Sequence, residues 1–385
     1  MQRVCEETDT VKAEVENRKG DLRAADVEFI ISVWKKLQKV QKEISDLETR
    51  KNVISAKVRA LVDEHEKSTL ASLEEYTSAR EEGRAIREKL SQLYVHEGEL
   101  EKEHYCRALR LPNRTHPSVP IGDESQARVV ELVGEKQEFN FKPKGHLQIG
   151  ESLDIIRQRR LAHVSGHRSY YLRGAGARLQ FALQNYTMDL LQKREGCGMQ
   201  PNAHKSQVYS LDPSRFPDLN LAGTGEVGVA GQSVVARAIE QKQILAERPG
   251  VSTEFTILTR VLDMPTQELG PPAFRKYDIE AWMPGRGSYG EISSASNCTD
   301  YQSRRLNILY EGNDGNLKYA HTVNATACAV PRTVIAILET HQTKEGTVLV
   351  PEVLQHYLGL KVIEKPEYTP IKYIGPNQPK RHSSK

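Results

Sequence analysis

A chain of 385 residues exceeds the usual single domain, so two domains are the first expectation. Its charged residues, 27% of the total, nearly cancel to +3, so net charge alone does not announce a nucleic-acid binder, and no apolar run approaches the ~18 residues of a membrane span. Five scattered cysteines (Cys5, Cys106, Cys197, Cys298, Cys328) without a CxxC pair argue against a disulfide framework or a zinc site and for free thiols in a reducing compartment.

The first residues, MQRVCEETDTVKAEVE, turn acidic at the sixth position. A mitochondrial import signal is Arg- and Ser-rich and poor in acids, and none is visible here. From Asp26 to about Val62 the chain has neither Pro nor Gly. Ile30, Leu37 and Ile44 recur every seven residues, Leu47, Ile54 and Leu61 continue on an adjoining register, and after DEHEKS the interval returns at Ala79, Ile86, Leu93 and Leu100. Two heptad helices with a short connection predict an antiparallel coiled-coil hairpin. At ~1.5 Å per residue, each leg of about 36 residues reaches ~50 Å. Gly83 should weaken the second leg by ~1 kcal/mol against alanine. Lys35, Lys36, Lys39, Lys42, Arg50, Lys51, Lys57 and Arg59 suit a phosphate backbone, yet acids interleave them, and a solvated helix face explains them equally well.

Three prolines between Pro112 and Pro120, followed by Gly122, mark an extended linker and a domain boundary. Phe139 to Gly150 reads as a short strand and loop. The glycine-punctuated stretch from His163 reads as a strand pair leading into a helix with Leu179, Leu183, Tyr186 and Leu190 on one face.

Tyr277 to Met283 alternates as a strand with one buried face, and Pro284, Gly285 and Gly287 supply a loop. GEISSASN follows as a second strand carrying Glu291 among small hydroxyl residues, and Thr322 to Ala329 as a third extended piece. It runs into VPRTVIAILETH, where Val330, Val334, Ile337 and Leu338 have the spacing of a helix with one buried stripe. Arg332 lies in that helix's first turn, where unpaired N–H groups and a forked donor suit a phosphate. Glu291 suits a Mg²⁺ ion held between phosphates. Each residue taken singly is also accounted for by ordinary ion pairing.

As whole strings, YDIEAWMPGRGSYGEISSASNCTDYQSRR and HTVNATACAVPRTVIAILE resemble the signature block and motif 3 of the seryl-tRNA synthetases, a class II family, and the wording NATACAVPR is similar to its mitochondrial branch. The resemblance implies an α+β fold: an N-terminal antiparallel coiled-coil hairpin on a class II antiparallel β-sheet core with flanking helices. It divides the chain into a tRNA-binding arm (1–111), a linker with a lead-in strand (112–150), a catalytic core (151–370) and a basic extended tail (371–385). It further implies serine activation with ATP and Mg²⁺ and charging of serine tRNA by a homodimer in the mitochondrial matrix. LNLAGTGEVGVAG resembles the family's Thr-x-Glu loop, so Thr224, Gly225 and Glu226, with Asn324 and Thr326, would contact serine. Glu291, Ile292, Ser293 and Ser294 would hold ATP and its metal, and Arg332 the phosphates.

The middle of the chain departs from the pattern. Arg194 is followed directly by Glu195, without the glycine- and proline-bearing strand of motif 1. Only 52 positions separate Glu226 from Asp278, and no Arg-x-Glu of motif 2 lies between them; Arg237, Arg248 and Arg260 lack the right neighbours. Two explanations stay open: an incomplete version of an intact ligase, or a non-catalytic module kept for binding tRNA or protein.

Overall fold

The computed structural model describes residues 1–65, 73–158, 169–192, 208–210, 220–222, 255–312 and 314–367. The serine-loop residues Thr224, Gly225 and Glu226 and the tail 371–385 lie outside them.

Two short helices, α1 (Gln2–Glu6) and α2 (Thr8–Asn17), precede the arm. The arm is α3 (Ala24–Glu64) and α4 (Glu74–Ala108), packed side by side as the heptads require. Ile44, Ile54, Ala79, Ile86 and Leu100 are buried along the seam, joined by Val33, Leu37, Val40 and Leu90. The basic residues of α3 differ along its length, with Arg59 exposed toward the tip. Arg50, Lys51 and Lys57 pair with Glu82, Glu48 and Glu75, whereas Lys35, Lys36, Lys39 and Lys42 lie exposed nearer the root. At Gly83 an added Cβ would meet Ile54 Cγ2 at 3.7 Å, ordinary van der Waals contact. Gly83→Ala is therefore expected to stabilise the arm by ~1 kcal/mol, read as a higher midpoint for loss of helical circular dichroism; an unchanged or lower midpoint would contradict this.

Beyond the linker come β1 (Arg128–Val133), α5 (His146–Ser152), β2 (Ile156–Arg157), β3 (Tyr171–Leu172) and α6 (Ala175–Gln192). β1 lies within 112–150 but precedes the stretch where the lead-in strand was expected. Phe139–Gly150 is not a strand: residues 139–145 are irregular, and His146–Ser152 is helical. The Phe-x-Phe alternation suggested a strand, but Pro143 and Gly145 end it, and Ile149 and Leu153, four apart, both reach the core. Of the strand pair expected from His163 onward, β3 is the part that lies within the described residues, and it pairs with β2, which precedes that stretch; Leu179, Leu183 and Tyr186 of α6 are buried together.

β4 (Val208–Ser210) and β5 (Asn220–Ala222) pair with each other. Then follow β6 (Thr259–Asp263), β7 (Arg275–Met283), β8 (Ser288–Thr299), α7 (Tyr301–Leu306), the β9 (Leu309–Glu311) and β10 (Leu317–Tyr319) hairpin, β11 (Thr322–Ala325) and α8 (Val330–Thr340). β12 (Val348–Leu349), α9 (Glu352–Leu358) and β13 (Val362–Ile363) close the described core. The third extended piece is half the expected length, since pairing stops at Ala325 and α8 starts five residues later at Val330, with Pro331 in its first turn.

The main sheet is antiparallel, in the order β1-β6-β7-β8-β11. Side chains alternate across it. Ala281, Met283 and Ile292 pack with Val334, Ile337 and Leu338 of α8 and with the buried stripe of α6. One face is thereby covered, and the other carries the polar residues.

Candidate active site

Register puts that polar set together. Arg260, Glu280 and Glu291 lie in one row across β6, β7 and β8; Leu262, Asp278 and Ser294 form the next; Lys276, Ser296 and Asn324 the third. Directly opposed residues in a sheet share a face. Between Ile279 and Glu280 the β7–β8 register slips, leaving Ile292 without an opposite number. This bulge re-aims the strand where it passes Glu291.

Arg332 reaches back from the first turn of α8 to Glu291. Its Nη1 donates to the Glu291 carbonyl oxygen at 2.9 Å and lies 3.1 Å from Oε1. Both side chains are half-exposed, 50% for Arg332 and 36% for Glu291. Asn324 Nδ2 lies 3.6 Å from the buried Cys298 sulfur. Thr326 N donates to Ser294 O at 2.8 Å, and Ser293 Oγ donates to Thr326 O at 2.5 Å, so the chain leaving β11 is stitched to β8. Glu291, Ser293, Ser294, Asn324, Thr326 and Arg332 are therefore brought together. Ile292 belongs to the hydrophobic core, leaving its backbone as the part that can serve a nucleotide; its carbonyl accepts from Ala329 N at 3.1 Å.

Three further residues were not singled out from sequence. Asp278 is buried; Lys276 Nζ donates to its Oδ2 at 2.8 Å, while Oδ1 has no hydrogen-bond partner. Burial pushes its carboxyl up to about 6; Lys276 opposes the rise, and the charges of Glu291 and Glu280 add to it. Glu280 accepts from Arg260 Nε at 2.7 Å. The alternating acids of Tyr277-Asp278-Ile279-Glu280 are the signal that could have found the first two. Arg260 needed the register.

The opposite end of α8 is pinned as well. Glu339 is 1% exposed, and its Oε1 accepts from His146 N and Nδ1, each at 2.9 Å. Its Oε2 accepts from Gly285 N at 3.0 Å and Arg286 N at 3.1 Å. Burial alone would raise this carboxyl, but the donors from His146 and the Arg286 amide win and hold it below the usual glutamate value. One side chain thus ties the β7–β8 turn and the start of α5 to the helix that carries Arg332. Gly285 passes so near the Lys144 carbonyl that a Cβ has no room.

Comparison with known proteins agrees with this arrangement. Residues 1–115 match the seryl-tRNA synthetase N-terminal domain, and residues 127–341 the tRNA synthetase class II core domain (G, H, P, S and T). The mitochondrial serine–tRNA ligase of Mus musculus is 49% identical over 449 aligned positions, covering 99% of this chain and 87% of that protein; that of Bos taurus is 47% identical with the same coverage. The crystal structure of seryl-tRNA synthetase from Pyrococcus horikoshii complexed with ATP superposes with a TM-score of 0.82 at 27% identity, over 95% of this chain and 99% of that one. An alignment of 449 positions against 385 residues means that the relatives carry internal segments this chain lacks.

Proposed function

The chain belongs to the seryl-tRNA synthetases, and from that membership we propose how its residues divide the work of a serine–tRNA ligase. The reaction joins the serine carboxylate to the α-phosphate of ATP with loss of pyrophosphate, then passes the acyl group to the terminal ribose of serine tRNA with release of AMP. The rival reading, a non-catalytic module, gains no support from these similarities.

The observation that carries the assignment is the Arg332–Glu291 pair, on the polar face two register rows from Asn324. A half-exposed ion pair is worth about 1 kcal/mol or less, so phosphates displace it cheaply. Arg332 then turns its fork onto phosphate oxygens beside the N–H groups of the first turn of α8. Asn324 and Thr326 meet serine from the β11 side, with Glu226 and Thr224 as the other serine contacts. A site of buried polar groups selects a hydroxylated substrate strongly, because analogues without the hydroxyl leave those groups unpaired.

The residues fit Mg²⁺: the half-exposed Glu291 carboxylate shares its face with Asp278 and Glu280, and Asp278 keeps an unpartnered oxygen. Among the described residues no three such side chains form an all-protein metal cage, and Mg²⁺ commonly completes its shell with phosphate oxygens. Glu291 would hold it, and when bound it neutralises phosphate charge.

The arm embraces serine tRNA, with Lys35, Lys36, Lys39 and Lys42 toward the backbone. A homodimer is supported by β1, an edge strand among the described residues, where Val129, Val130 and Leu132 are exposed, as is Ile121 of the linker. Among the described residues no helix is long and apolar enough to cross a membrane. The names of the mammalian relatives support action in the mitochondrion, and the matrix is the compartment proposed within it.

Serine-dependent charging of serine tRNA, with alanine and threonine as controls, tests the assignment; charging that ignores the amino acid would defeat it. For the pair itself, Arg332→Ala is expected to weaken Mg²⁺-ATP binding about 10- to 100-fold, from the ~1.5–3 kcal/mol of a hydrogen bond to a charged group. Calorimetric titration measures this, and unchanged affinity would remove Arg332 from the site.

A further inference from the structure

Apolar clusters fill the arm, the arm's root with α1 and α2, and the catalytic core, yet among the described residues none spans the arm and the core. What joins them is polar and directional. Arg18, 7% exposed, ends α2 and points its guanidinium into the junction. Nη1 donates to Gly270 O at 2.6 Å; Nη2 donates to Ala273 O at 2.9 Å, Thr115 Oγ1 at 3.0 Å and Arg114 O at 3.1 Å. From the same helix, Glu14 accepts from Thr115 N at 3.0 Å and is itself held by Arg3.

Two further side chains complete the joint. Asn113 Nδ2 donates to Cys298 O at 2.8 Å, Pro272 O at 2.9 Å and Thr299 Oγ1 at 3.0 Å. Arg305 of α7 donates to the Leu111 and Leu109 carbonyls, where α4 runs out. Asn113 thus grips the far end of β8, the strand that carries Glu291 seven residues earlier, or ~23 Å away at ~3.3 Å per residue.

Apolar contact is indifferent to angle, whereas hydrogen bonds to fixed carbonyls specify one. We propose that Arg18 is a positioning residue that sets the direction of the arm relative to the catalytic sheet for RNA docking. Burial lowers its guanidinium to about 10, with Glu14 opposing that fall, so it remains a cation at neutral pH. The proposal rests on the reading that the arm embraces serine tRNA.

The test uses the full chain with a fluorophore pair introduced as non-natural residues at the exposed Val95 on the arm and Leu317 on the core. Arg18→Ala is expected to broaden the distance distribution and to weaken serine tRNA binding about tenfold, with Mg²⁺-ATP affinity unchanged. Arg18→Lys, which keeps the charge but not the fork, should fall between. Thr115→Val, which removes one acceptor, should show a smaller shift in the same direction and serves if Arg18→Ala fails to fold. An unaltered distribution in every variant, or ATP and tRNA affinities falling in parallel, would overturn the proposal. Broadening in the variants with no tRNA binding by the unaltered chain would sustain the positioning role and overturn the RNA-binding reading on which its purpose rests.

Discussion

Serine-dependent exchange of pyrophosphate into ATP is expected to run about two to three decades slower in this chain than in a version into which a segment bearing the Arg-x-Glu of the family's motif 2 is grafted between Gly231 and Thr259. Serine and the α-phosphate are both anionic when they meet, and charge builds on the phosphoryl oxygens as pyrophosphate leaves. A positioned donor aimed at that charge is worth ~3–4 kcal/mol. No Arg-x-Glu lies between Glu226 and Asp278 to supply one. Of the arginines on the polar face, Arg260 is committed to Glu280, and Arg332 belongs to the motif 3 side. Among the described residues β11 is the last strand of the main sheet, the side on which a grafted segment has room to join. The measurement is radiolabelled pyrophosphate exchange with and without the graft. Equal rates would mean that Arg332 and the helix terminus suffice.

The second large effect concerns stability. Glu339→Ala should cost ~3–5 kcal/mol, because it strands four N–H donors around a buried site. The sign with pH follows from the depressed carboxyl of the folded state. On acidification the unfolded chain takes up the proton first, so the contribution is full above the ordinary glutamate value and is lost as pH falls through the folded value. Thermal unfolding between about pH 3 and 7 should therefore show an acid limb in the parent protein that is shallower in Glu339→Ala. Parallel limbs would show that Glu339 carries no linked proton. Because Glu339 anchors the far end of α8, Mg²⁺-ATP affinity should weaken alongside stability in this variant.

Where a residue's neighbours follow from periodicity, the sequence was enough. The heptads of Ile30 to Leu100 set the arm, and the stripe Val334, Ile337, Leu338 set α8 and with it the place of Arg332. Signature strings placed Glu291, Asn324 and Thr326 in one expected site, and in the fold they lie on β8, on β11 and on the chain that leaves β11. What escaped was whatever depends on register or on distant backbone. Arg260 joins the polar face because β6 pairs with β7, and nothing local to LTRVLD says so. Glu339 looks like a surface acid two residues from a histidine, and its burial emerges only when Gly285 and His146 converge on it. Arg18 resembles any basic residue ending an acidic helix, since its acceptors lie some 96 to 255 positions later in the chain. Ile292, assigned to the nucleotide as part of a string, proved to be a core residue because the bulge turns it inward.

The arm's proportions carry a last consequence. Its longer leg, 41 residues, extends ~60 Å at ~1.5 Å per residue. A swivel of only ~5° at the root would sweep the tip through ~5 Å, more than the ~3.4 Å axial spacing of successive phosphates along one strand. Reading a nucleic acid at that distance depends less on how tightly the tip holds than on how little the base rocks, so evolutionary pressure on this molecule should be felt as keenly at its shoulder as at its fingertips.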